Sequence, residues 1–193
     1  MLENPKSYAF VLSWPIDLPG GVNGVVRNLI EEFRVAGEFH PILIESHWAS
    51  ASPLIEQHPG YTYIRMRSPV VDSANLKSLL AFCVFLPFTL WSLWRLAKEH
   101  RIAAVNFHFP SRNALNWIVL RKLRLFSGKV VLSYHGDDIR GAYGLRGSMR
   151  SAYRYMLREA DMVACCSEGV QSEVVALEPR AKTCVIYNGI DEG

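Results

Sequence analysis

The chain alternates between short apolar runs and longer stretches in which apolar positions recur every three or four residues. The runs Tyr8–Trp14, Pro41–Glu45, Tyr61–Met66, Ala103–Phe107, Lys129–Tyr134, Met162–Cys166 and Thr183–Tyr187 read as strands. Their nearly continuous apolar character is that of strands covered on both faces. Helical patterns lie between them, near Val22–Ala36, Asn75–Lys98, Ala114–Leu125, Gly147–Glu159 and Glu168–Ala176. Strands separated by helices predict an α/β fold, a doubly wound and mostly parallel sheet with helices on both faces. Residues 7–191 then form one Rossmann-like domain. The segment Ser46–Gly60 reads as loop, with a short helix around Pro53–His58.

One helix departs from the ordinary amphipathic pattern. From Ser78 to Trp94 seventeen residues pass without a charge, between Lys77 and Arg95. A membrane span needs about 20 apolar residues, and Pro87 interrupts this one. The stretch 78–94 therefore reads as a core helix, or as one that presents Phe85, Phe88, Trp91 or Trp94 to a membrane surface or a lipid-linked substrate. Arg146, Arg150, Arg154 and Arg158 recur every four positions and form one helical stripe, either solvated or facing an anionic partner.

Composition narrows the function classes. A net charge of +3 over 193 residues is too small to argue for nucleic acid, and aromatic and basic residues are not interleaved. The four cysteines lack metal-ligand spacing and read as reduced core residues of a cytosolic protein. The first six residues do not read as a signal peptide.

Candidate chemistry gathers where strands end. Gly20-Gly21-Val22-Asn23-Gly24 joins the first strand to the first helix, where backbone N–H groups and the positive end of the helix dipole face a ligand. Its spacing fits neither the G-x-G-x-x-G dinucleotide fingerprint nor a Walker loop. Glu45 ends the second strand where dinucleotide folds carry a ribose-binding acid, but without that fingerprint NAD is not expected. His108 follows the fourth predicted strand and His135 the fifth, the latter in His135-Gly136-Asp137-Asp138. In a parallel sheet these ends share one edge, so the glycine turn, His108 and His135 are expected to line one crevice. Asp137 and Asp138 orient the imidazole, bind sugar hydroxyls or cap a turn.

Four segments in order carry a resemblance. They are the run Gly20–Leu29, the His135–Asp138 segment, Glu159-Ala160-Asp161-Met162-Val163-Ala164-Cys165-Cys166-Ser167-Glu168, and Val185-Ile186-Tyr187-Asn188-Gly189-Ile190-Asp191. Together they resemble the amino-terminal domain of retaining glycosyltransferases with the GT-B fold, the large family numbered four. The resemblance implies the acceptor-side half of an enzyme that moves a sugar from a nucleotide-diphosphate sugar to a sugar or lipid-linked acceptor, with retention. The carboxy-terminal, donor-binding domain would lie outside this chain. His135 would be the catalytic residue, against the transferring sugar. Gly20, Gly21, Asn23, Gly24, His108, Asp137 and Asp138 would contact substrate. No metal or other cofactor is implied, and the fragment alone would be inactive. Such an enzyme belongs in the cytoplasm, with peripheral contact at the inner face of a membrane through residues 78–94. A non-catalytic α/β module binding a phosphorylated or sugar ligand is the alternative. An epimerase or dehydrogenase would need a Tyr-x-x-x-Lys pair, and Tyr153 and Tyr155 are followed four residues on by Leu157 and Glu159.

Overall fold

A computed structural model describes residues 5–46, 53–69 and 76–188. In chain order the elements are β1 (Ser7–Leu12), α1 (Gly21–Ala36), β2 (His40–Ser46), β3 (Leu54–His58), β4 (Tyr61–Met66), α2 (Leu76–Glu99) and β5 (Ile102–His108). They continue with α3 (Ala114–Lys122), β6 (Lys129–Tyr134), α4 (Asp137–Tyr143), α5 (Gly147–Glu159), β7 (Met162–Cys165), α6 (Glu168–Leu177) and β8 (Thr183–Val185). The eight strands form one sheet in the order β3-β4-β2-β1-β5-β6-β7-β8. Every pairing is parallel except β3 with β4. The doubly wound α/β sheet expected from the alternating pattern is the observed fold.

The strand order fixes which face each helix covers. Right-handed crossovers put α1, leading from β1 to β2, on one face and α2 to α6, leading the opposite way, on the other. Strand side chains alternate accordingly between two cores. Ala9, Val11, Ile42, Ile44, Val105 and Phe107 pack with α2–α6, while Phe10, Leu12, Leu43 and Tyr63 pack under Val26 and Ile30 of α1. The covering is lopsided. Among the described helices only α1 covers the second face, and the β5–β8 side of that face stays partly open.

Several boundaries differ from the sequence reading. Residues 54–58, expected as loop or helix, form an exposed edge strand turned back on β4 through Pro59-Gly60. Gly60 has a φ of +91°, which favours glycine there. Hydrophobic pattern alone missed β3 because none of its residues is buried. The first strand ends at Leu12, two residues early, and β8 ends at Val185 rather than Tyr187. Helix α4 was not expected. Helix α3 stops at Lys122, and Arg124 follows in the left-handed region (φ +60°). Of the four cysteines only Cys165 is buried, and Cys83 is exposed on α2, which corrects the core-cysteine expectation. Asn75, Gly189, Ile190 and Asp191, used in the sequence reading, lie outside the described residues.

Candidate functional site

The carboxyl ends of β1, β5 and β6 share one edge, because their registers align Val11 with Phe107 and His108 with Ser133. That edge carries the turn into α1. The helix begins with no side-chain cap and no acidic residue in its first turn, so its N–H groups and dipole lack a local counter-charge. A Cβ placed on Gly20, Gly21 or Gly24 would meet nothing within 4 Å. The glycines thus leave the main chain open to an approaching group.

Asn23 plays a different part in that turn. It is buried, and its Oδ1 accepts from the Trp14 indole N–H at 2.8 Å. Its Nδ2 donates to the carbonyls of Leu18 (2.7 Å) and Pro15 (3.1 Å). The side chain ties the Trp14–Leu18 loop to α1, and the structure gives it this anchoring work rather than an exposed amide. The Trp14 ring packs edge-on against Phe109 at 5.2 Å, joining the glycine loop to the end of β5.

Two histidines meet at the edge. His108, 2% exposed, places Nδ1 at 3.2 Å from Nε2 of His135, with the rings stacked at 5.4 Å. Burial, then the neighbouring His135, pushes His108 down to about 3. Burial also lowers His135, partly opposed by Asp138. Both rings are therefore neutral at pH 7, and one nitrogen of the contact donates while the other accepts. The remaining nitrogens, His108 Nε2 and His135 Nδ1, are buried without a partner. Phe109, next to His108, sits at φ +56°, and its N–H donates to the Ser133 carbonyl at 3.1 Å. Strained backbone of this kind marks functional edges more often than ordinary loops.

Gly136 turns the chain after His135 with a φ of +121°. Asp138 builds the turn, accepting from the backbone N–H groups of His135, Gly136 and Ile139 at 2.8–3.1 Å. Burial raises Asp138, while those N–H groups pull the other way. Asp138 thus takes the capping role among the alternatives left open by the sequence. Asp137 is exposed and pairs with Arg140 at 3.2 Å.

A cavity of about 440 Å³ opens beside the two rings. It runs beneath α1 along the uncovered β5–β8 face, and is lined by Asn28 and Glu32 from the helix and Asn106, His108, Ser133 and His135 from the sheet. The two histidines and α1 share this concavity. Gly20–Gly24 lie at the same sheet edge but not in its lining. Asn28, Glu32, Asn106 and Ser133 were missed by sequence reasoning. The available signal was the i, i+4 spacing of Asn28 and Glu32 on the helix that opens at the glycine turn. In the floor, Ser133 Oγ donates to Asn106 Oδ1 at 2.8 Å.

Glu45 does not reach this edge as a ligand. It is buried, accepts from the Tyr63 hydroxyl at 2.6 Å and pairs with Arg65 at 3.2 Å. Burial and then Glu45 push Tyr63 up to about 12. Among the described residues no group of three His, Cys, Asp or Glu is placed to hold a metal.

An open, mostly parallel sheet with an uncapped helix start and paired histidines at its carboxyl edge is a Rossmann-like domain, and the comparisons match it to the amino-terminal domain of GT-B glycosyltransferases. The family model described as Glycosyltransferase Family 4 matches residues 19–193, and the chain belongs to that family. No curated protein matches the sequence. Among solved structures, sucrose-phosphate synthase from Thermosynechococcus elongatus is similar at 15% identity with a TM-score of 0.68, covering 96% of this chain and 48% of that one. The Anabaena protein HepE, solved with UDP and glucose, is 12% identical (TM-score 0.60; 96% and 45% covered). An Escherichia coli trehalose-6-phosphate protein, bound with UDP-2-fluoro glucose, is 10% identical (TM-score 0.53; 96% and 49% covered). At these identities the likeness shows the fold, and the chain spans about half the length of each of these proteins.

Proposed function

We propose that this chain is the acceptor-side half of a retaining glycosyltransferase that moves a hexosyl group from a nucleotide-diphosphate sugar to a hydroxyl of a sugar or lipid-linked acceptor. The observation that carries the reading is the buried His108–His135 contact beside the cavity, on the edge where α1 begins uncapped. Two of the similar structures were solved with UDP or a UDP-sugar, which supports a nucleotide-sugar donor. Residues 7–191 form the acceptor-side domain in this reading, and a second domain outside the chain holds most of the donor.

The chemistry follows from positioning and electrostatics. With Nε2 engaged by His108, the buried and unpartnered Nδ1 of His135 is uncovered in this reading to meet a hydroxyl of the transferring sugar. Held neutral by burial, it acts as a hydrogen-bonding group rather than a cation. His108 is a positioning residue, because its Nδ1 sets the tautomer and tilt of the neighbouring ring. Gly20, Gly21 and Gly24 let the diphosphate approach the α1 N–H groups, where the dipole stabilises the charge that grows on the leaving group. Asn23 and Asp138 hold the two loops in place. Asp137 has no assigned contact with substrate. The diphosphate needs no metal in this reading, and the enzyme works in the cytoplasm.

In the full-length enzyme, His135→Ala should lower kcat/KM by roughly 10²–10³-fold, the scale of losing one well-placed polar group at a transition state. The circular dichroism spectrum should not change. Undiminished turnover in that variant would remove His135 from the site.

A further inference from the structure

Charge along the chain is unevenly placed. Residues 73–158 hold fourteen Lys and Arg against three Asp and Glu, whereas the rest of the chain holds seven against fifteen. A chain of net charge +3 thus contains a basic block that includes α2, α3 and α5 on one face of the sheet, although Glu159, Asp161, Glu173 and Glu178 beyond it pair with Arg121, Lys122, Lys129, Arg140, Arg154 and Arg158.

The same face is apolar where it should be polar. Leu80, Val84, Phe88 and Trp91 recur at helical spacing along α2 and are exposed, Phe88 at 69% and Trp91 at 55%. Arg95 lies over the Trp91 ring at 5.6 Å and closes the stripe. Between α2 and α5, above α3, runs a groove of about 640 Å³, lined by Phe82, Leu86, Leu115, Val119, Tyr155 and Arg158. Of the arginine row, Arg154 and Arg158 line this groove, while the apolar stripe lies on the outer side of α2, about half a turn from Phe82 and Leu86. Within that row Arg154 pairs with buried Glu178 at 3.1 Å and Arg158 with Glu159 at 3.3 Å. Arg146 and Arg150 are exposed and have no acidic partner among the described residues.

We infer that the α2–α5 face is a docking surface for an anionic lipid bilayer. Exposed aromatic and aliphatic side chains on one helix, with uncompensated arginines at the start of another on the same face of the sheet, match an interface whose depth is apolar and whose surface is negative. No described helix is long and apolar enough to cross a membrane, so the contact is peripheral. Topology gives the contact a direction. Both α2 and α5 start from the carboxyl edge of the sheet, so Leu80, Val84, Arg146 and Arg150 lie toward the edge that carries the histidines. Docking would hold the crevice beside the lipid surface, where an acceptor carried on a lipid is displayed. Only that last step rests on the proposed glycosyltransferase function.

The test is sedimentation of the full-length protein with phosphatidylglycerol vesicles and with phosphatidylcholine vesicles, without sugar nucleotide. Binding to phosphatidylglycerol alone, weakening with salt, is the expected result. Phe88→Ser with Trp91→Ser should abolish it, and Arg146→Gln with Arg150→Gln should weaken it about tenfold or more. Both variants should keep the wild-type thermal midpoint, because all four side chains are exposed. Wild-type-like binding by either double variant, or no binding by the wild type, overturns the inference. So does a concentration-dependent dimer, seen by sedimentation velocity, that the Phe88→Ser, Trp91→Ser variant abolishes, since a second copy would then cover the stripe. Because no transfer is measured, failure here leaves the enzymatic reading standing, and inactivity of the enzyme leaves the docking result intact.

Discussion

At the scale of single residues, burial decides what each candidate side chain does. His108 and His135 were both legible as strand-end histidines, but not that one ring would lie against the other. That contact depends on the pairing of His108 with Ser133, which brings β5 and β6 into register. Asn23 read as a ligand from its loop, and Asp138 as a ligand or a turn cap, and both satisfy backbone groups that would otherwise be buried unpaired. The His108 ring yields a pH prediction. Its folded value, about 3, lies below the unfolded value near 6.5, so the unfolded chain binds the extra proton between them. Stability is therefore lost as pH falls from about 6.5 toward 3, by about 1.4 kcal/mol per pH unit from this group. Urea unfolding at pH 6 and pH 5 should come close to that slope, and His108→Phe should flatten it. Gly136→Ala should cost about 1–3 kcal/mol through backbone strain alone, since no atom lies within 4 Å of the added methyl. Its thermal midpoint, set beside that of Gly141→Ala within α4, isolates the effect of φ.

At the scale of elements, local signals located helices better than they located edges. The start of α6 was readable, and Ser167 caps it by accepting from the Val170 N–H at 3.3 Å. Ser167→Ala should cost about 1 kcal/mol, measurable by chemical denaturation. Strand β3 was not readable because it buries nothing and forms only by pairing with β4. Its Pro59-Gly60 turn was the one available sign. The loop before α1 is held by the Asn23 amide, so Asn23→Ala should destabilise by about 2–3 kcal/mol, leaving the Trp14 N–H and two carbonyls to find other partners. The near-ultraviolet circular dichroism of Trp14 should change with it, while the far-ultraviolet spectrum holds.

At the scale of the whole molecule, the sheet is complete but the crevice has one wall. Eight strands with two cores give enough buried apolar area for an independent domain. This chain should therefore unfold in one cooperative transition. It should also transfer no sugar and bind UDP-, GDP- or ADP-sugars too weakly for calorimetry, because an open edge leaves water against the reacting group. Robust transfer by the fragment would show that the chain is a whole enzyme.

The amino-acid sequence by itself determined the alternation of strand and helix, the parallel sheet, and the edge on which its polar residues gather. Those follow from short-range periodicity and from the rule that parallel strands place their carboxyl ends together. Only the tertiary structure decided that, of the described helices, one covers one face and five the other. The strand order decides this, through pairings far apart in sequence. The uncovered face and its cavity, the neutral histidine pair, and the exposure of Phe88 and Trp91 on α2 followed from that order. A hydrophobic pattern records which residues prefer burial, and it cannot say which of them the packed neighbours leave in contact with water.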